Sequence, residues 1–205
     1  MWLRFMRYLD RAFCVAVALF LLGAFLGATM VLTSTTFQGF VLRVLQFRMV
    51  SPVQAANRLG DVALFFLVFA NNSVPVVLSF AYSLVILRVR WTPPLSEQRT
   101  WIFMSLYTLI VAFLAGFFSV GATVAVGWVN GGGKVLSILL STSWIHGPLE
   151  VVFVLRGVAE PLRIVWGGSN PNATPNQRLS EDVALLCICL LGLCVSAAIE
   201  VFAKL

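Results

Sequence analysis

One histidine and one glutamate stand four residues apart in apolar sequence, in the run His146-Gly147-Pro148-Leu149-Glu150. This is the chain's only histidine, and Glu150 is one of its 8 acidic residues. On an unbroken helix the two side chains would share a face, the arrangement of a metal or proton site. A metal would need two or three further ligands, and there is no second histidine to supply one. A hydrolase would have to use Ser141 or Ser143 as nucleophile, with no acidic residue nearby to orient the histidine. The expectation is therefore a protein without catalytic residues, metal or cofactor. Proton movement through Glu150 and His146 remains open, because histidine titrates near physiological pH. A carboxylate at bilayer depth costs a few kcal/mol, so Glu150 is expected to have a specific job.

Three more sites interrupt the apolar pattern. Asn71 and Asn72 fall near the middle of one apolar block, and Asn130 precedes Gly131, Gly132 and Gly133 at the end of another. Unpaired amides and carboxyls are costly in hydrocarbon, so Asn71, Asn72, Asn130, His146 and Glu150 are expected to satisfy one another. Further on, Arg156, Glu160 and Arg163 recur at helical spacing. Glu160 can pair with Arg156 one turn before it and with Arg163 after it, if the helix survives Pro161. This charged cluster is expected at the inner end of the fourth span, with its arginines reaching the interface.

The elements that hold these groups follow from composition. The chain has 205 residues, 60% hydrophobic and 11% charged, with a mean hydropathy of +0.96. A soluble domain carries about 25% charged residues. The apolar excess lies in blocks of the length that crosses a hydrocarbon core, about 20 residues. The blocks are Ala12 to Leu32, Val62 to Leu87, Trp101 to Val129, a less regular one from Val135 to about Val165, and Val183 to Ala203. The expectation is an all-α, polytopic transmembrane bundle of about five spans, forming a single domain over residues 1–205. The first block resembles a signal peptide, but its apolar core exceeds the usual 7–15 residues and no small-x-small site closes it. It is read as a retained anchor.

Orientation follows from lysine and arginine. With the N-terminus inside, Arg4, Arg7, Arg11, Arg88, Arg90, Arg99, Arg156, Arg163 and Arg178 are inner, and Arg43, Arg48, Arg58, Lys134 and Lys204 are outer. The expected placement is the cell membrane, N-terminus cytoplasmic and C-terminus outside. The net charge of +6 is then mainly a topology signal, and no clustered basic face suggests nucleic acid. The expected partners are the lipid bilayer and other membrane or envelope proteins, with the chain alone or as a homo-oligomer.

Pro148 alters the first motif. It has no N–H for the carbonyl of Trp144, and its ring crowds that turn. Gly147-Pro148 is better read as a break followed by a new helix with Pro148 at its first position. Glu150 would then lie in the first turn, against free backbone N–H groups. Val135 to Ile145 becomes a half-helix or re-entrant segment, tolerated only among protein or in a wet cavity. Between spans one and two, Phe37, Phe40, Val41, Val44 and Leu45 recur at helical spacing. They predict a helix in the outer interface or packed over the other spans. Gly23 and Gly27, and the small residues Ala115, Gly116, Ser119 and Gly121, predict close helix packing within one chain. Cys14, Cys187, Cys189 and Cys194 fall inside spans and are read as small apolar fillers. The polar connector Gly167 to Gln177 contains the sequon Asn172-Ala173-Thr174, which this topology places inside.

Asn71 or Asn72 within Phe65–Ser73, then Asn130-Gly131, then His146-Gly147-x-x-Glu150 together resemble the stage II sporulation protein M family of integral membrane proteins. Order, spacing and span count match over roughly Val62 to Val165. The family continues after the glutamate with small and apolar residues, where this chain has Arg156 and Glu160. The resemblance implies a non-enzymatic membrane partner protein. The member in sporulating bacteria looks like a scaffold for cell-wall-degrading proteins, and many relatives occur where sporulation does not.

Overall fold

The computed structural model describes residues 11–89, 97–132, 146–166 and 175–202. They form helices, with no strand among the described residues. Helix α1 (Arg11–Thr33) is followed by α2 (Thr35–Leu45), a π-helical turn (Gln46–Val50) and α3 (Ser51–Leu59). Helix α4 (Asp61–Val89) comes next. Then α5 (Glu97–Leu114) runs through a π-helical stretch (Ala115–Ala122) into α6 (123–132). Helices α7 (His146–Val158), α8 (Glu160–Val165) and α9 (Pro175–Phe202) complete the chain.

Four helices are long and apolar enough to cross a membrane: Arg11–Thr33, Asp61–Val85, Arg99–Gly132 and Ser180–Phe202. The fourth expected span is different. Its described part is the pair α7 and α8, of 13 and 6 residues, and the proposed half-helix Val135 to Ile145 lies outside the described residues. The pair nevertheless runs alongside α9 in the opposite direction, from Glu200 to Asp182. Glu150 is within electrostatic reach of Glu200, Phe153 packs against Gly192, and Arg163 pairs with Asp182. The bundle is thus traversed five times, the fourth time by two short helices.

Contacts fix the other directions. Tyr82 donates its hydroxyl to the Phe103 carbonyl at 3.0 Å, and the Tyr82 and Tyr107 rings stack 4.4 Å apart, so α4 and α5 form an antiparallel hairpin. Helix α1 lies parallel to the third traverse. An added Cβ at Gly23 would overlap the Phe113 carbonyl, and one at Gly116 the Phe20 carbonyl. Gly27 meets the Phe117 carbonyl and Gly121 that of Ala24 in the same way. In an α-helix, residues five apart point about 140° away from each other. The π-helical stretch closes its hydrogen bonds from i to i+5, which brings Gly116 and Gly121 onto one face. The small residues therefore pack within one chain, as their spacing predicts.

Prolines sit where the backbone can accommodate them. Pro75, inside α4, withholds the N–H that the Asn71 carbonyl would receive. Ser79 donates to the Pro75 carbonyl at 2.7 Å and Ser83 to the Ser79 carbonyl at 2.9 Å, binding hydroxyls to this helix and keeping them out of hydrocarbon. Pro52 follows the first π-helical turn, where the Ser51 hydroxyl donates to the Gln46 carbonyl at 3.0 Å.

Several expected boundaries move. Helix α6 does not stop at Asn130. It continues to Gly132, whose φ of 60° ends it in the left-handed region that glycine tolerates. Helix α5 begins at Glu97, inside the expected connector, and α9 begins at Pro175, inside the polar loop, because proline suits a first helical turn. The helix between spans one and two packs on the bundle by one face: Val41 is buried, with Phe37 and Leu45, against Val31, Ala122, Ala125 and Val126. Ser34 caps it, its hydroxyl accepting from the Phe37 N–H at 3.2 Å.

Candidate functional site

Every residue from 155 to 163 is buried, which makes this segment the centre of the bundle. Leu155, Val158, Ala159 and Leu162 pack on Ala12, Phe13, Ala16 and Phe20 of α1 and Ala112 of α5. Gly157 lies against Val76 of α4. The chain breaks here. Pro161 occupies the first turn of α8 and Ala159 precedes it without a side-chain cap. Pro161 cannot serve the carbonyl of Gly157, and the neighbouring Val158 carbonyl accepts the Thr108 hydroxyl at 3.1 Å. Thr108 is fully buried, so this bond secures the break from the side of α5.

Around the break lies a network of charges. Arg163 grips Glu160 with both ends of its guanidinium, Nε to Oε2 at 2.8 Å and Nη2 to Oε1 at 2.6 Å. Arg156 reaches the same carboxylate from the previous turn, at 3.5 Å. Arg163 also pairs with Asp182 of α9. Glu160 has 0% exposure, Arg156 5% and Arg163 8%. Two positive and two negative groups cancel, and bidentate geometry is the strong form of such a pair. Cys189 of α9 is also fully buried, while Cys14 and Cys187 face outward.

The sequence expectation for this cluster is corrected in one respect. Arg156 and Arg163 do not reach outward to an interface. They turn into the bundle, because Glu160 and Asp182 offer charged partners there that lipid cannot. Glu160 pairs with both arginines although the helix breaks at Ala159, since Glu160 and Arg163 both fall on the far side of the break.

Among the described side chains of the other constellation, Asn71, Asn72, Asn130 and Glu150 are not joined into one network. The Asn71 amide donates to the Asn72 side chain at 3.3 Å, with Asn71 exposed and Asn72 half-buried. The Asn130 amide bonds its own helix, at the Val126 carbonyl, 2.9 Å away. His146 opens α7. Pro148 lies in the first turn of that helix, as its chemistry requires, but Glu150 falls one residue beyond this turn. Glu150 is half-buried and opposes Glu200 of α9. The amides thus satisfy themselves locally, which a side chain can do without any long-range partner.

Sequence reasoning missed Asp182 and Thr108. Asp182 follows Ser180 and Glu181 at the polar head of the last span, where it reads as an ordinary interfacial acid. Only the antiparallel course of α8 and α9 sets it beside Arg163. Thr108 sits in an apolar run, where a threonine ordinarily bonds its own helix. Among the described residues, no group of three His, Cys, Asp or Glu side chains is placed to hold a metal ion.

Fold and site define an all-helical protein with several helices suited to a membrane and a charge-neutral network at its buried centre. Comparison with the models of known protein families, with curated proteins and with solved structures finds no match to this chain.

Proposed function

We propose that this chain is a non-enzymatic multi-pass protein of the cell membrane, N-terminus in the cytoplasm, acting as a scaffold or assembly subunit of a membrane complex. The observation that carries the reading is the state of Glu160: no exposed surface and both oxygens held by arginines of the same chain. A group so held fixes helices in place, and it would have to lose these partners before it could take up a cargo. The resemblance of Asn71 or Asn72, Asn130-Gly131 and His146 to Glu150 to the stage II sporulation protein M family supports the same role. Partners would be other membrane or envelope proteins, or further copies of this chain. Purification in mild detergent should return a stable partner protein, and recovery of the chain alone would count against a scaffold. Reporter fusions at the two termini should report opposite sides of the membrane.

A transporter or channel subunit is the second reading, kept by one observation. Glu150 and Glu200 bring two carboxylates within electrostatic reach of each other from α7 and α9. Together with His146 at the start of α7, they would form its working site. Reconstituted vesicles would then show pH-dependent flux that Glu150→Gln abolishes, and full flux in that variant would remove the reading.

A further inference from the structure

The most exposed large apolar side chains among the described residues lie outside the long spans. They are Phe47, 84% exposed, and Leu59, 80% exposed, in the segment 35–59 that joins α1 to α4. This segment packs on the bundle through Phe37, Val41 and Leu45, so its covered face is already accounted for. Its other face carries Phe40, Arg43, Phe47 and Val50, all exposed, at the spacing of a helical stripe. Arg58, also exposed, precedes Leu59. An exposed apolar surface bordered by one sign of charge marks an interaction site.

Depth and charge indicate what covers it. Helix α1 has 23 residues and is roughly 34 Å long, enough to cross a hydrocarbon core of about 30 Å. The segment begins where that crossing ends. Trp101 and Trp128, 47% and 51% exposed, mark the two ends of the third traverse, as tryptophans do at the two faces of a bilayer. The α2 face packs beside Ala125 and Val126, next to Trp128, so the segment sits level with one aromatic belt. From 35 to 60 the chain contains Arg43, Arg48 and Arg58 and no acidic residue. On the side that topology assigns as outer, these arginines run against the usual charge asymmetry, so orientation does not explain them.

We propose that the segment 35–59 lies in the headgroup layer and binds anionic phospholipid. Phe47 and Leu59 enter between the acyl chains, and Arg43 and Arg58 pair with headgroup phosphates. The inference depends on the chain residing in a bilayer. It does not depend on the scaffold reading.

The test uses the full chain in nanodiscs of phosphatidylcholine alone or with phosphatidylglycerol. With p-benzoylphenylalanine in place of Phe47, irradiation should give a lipid adduct, enriched in phosphatidylglycerol when that lipid is present. A crosslink to a second copy or to another protein, or no adduct, would overturn the proposal. Separately, R43Q/R58Q should retain less phosphatidylglycerol through purification, by roughly fivefold per arginine, which corresponds to about 1 kcal/mol each. R43K/R58K should retain it, because the charge is kept. Equal retention in R43Q/R58Q and the unsubstituted protein would refute the role of the arginines. If R43Q/R58Q does not fold, the crosslink on the otherwise native chain still decides the matter.

Discussion

Glu160→Ala should be among the most damaging substitutions in this protein. Removing the carboxylate takes from Arg156 and Arg163 the counter-charge they share, and both are nearly buried, at 5% and 8% exposed. Breaking a buried ion pair by deleting one partner costs about 3–5 kcal/mol, chiefly because the remaining charge stays buried. Arg163 keeps Asp182, so the lower part of that range applies. We expect a loss of about 3 kcal/mol in reversible unfolding in mixed micelles, followed by helix signal against the fraction of denaturing detergent. Arg163→Ala should cost a similar amount, because it strips Glu160 of its bidentate partner. Since both substitutions break the same contact, the double variant should cost less than the sum, with a coupling of about 1 kcal/mol or more. Strict additivity, or a Glu160→Ala chain as stable as the original, would refute the view that this network holds the bundle together.

Three further outcomes follow from the geometry. Gly116→Ala should sharply reduce folded yield, since its methyl would overlap the Phe20 carbonyl, whereas Gly39→Ala meets open space and should gain up to ~1 kcal/mol of helix stability. Size-exclusion profiles of the two variants would check this, and equal yields would count against the close seam. Thr108→Val keeps the side chain's shape but removes the donor to the Val158 carbonyl, and should lower stability by about 1–3 kcal/mol in the same unfolding assay. Glu150→Ala should reduce folded yield where activity is not required, if its role is architectural. Normal yield with lost function would favour a working site.

The spans were legible because hydrocarbon imposes a plain rule: about 20 apolar residues in a row. α1 and α4 match their apolar blocks to within one or two residues. The start of α9 was not legible, because Pro175 to Asp182 is polar and its helix depends on a proline-started first turn as much as on apolar pattern. The π-helical stretch at Ala115–Ala122 was invisible for another reason. Its extra residue per turn is stabilised by the match between two glycines and a neighbouring backbone, which no periodicity within one helix reveals. Within the site, the Glu160 pairings could be read from spacing, because both arginines lie within one turn of it. Asp182 could not, because 19 residues and a polar connector separate it from Arg163.

The fourth traverse combines two opposite electrostatic conditions, and that contrast orders the functional readings. At one end, Arg156, Glu160, Arg163 and Asp182 cancel each other beside a helix break. Such a break frees backbone groups that hydrocarbon would penalise, and burial among α1, α4, α5 and α9 removes that penalty only while the helices stay together. The network, the Thr108 bond and the apolar packing around them therefore tie these helices together, as the scaffold reading proposed above requires. At the other end, Glu150 of α7 and Glu200 of α9 bring two carboxyl groups within electrostatic reach of each other. The transporter reading proposed above rests on the Glu150 end, and the scaffold reading on the Glu160 end, where Arg156 and Arg163 hold Glu160 beside the helix break.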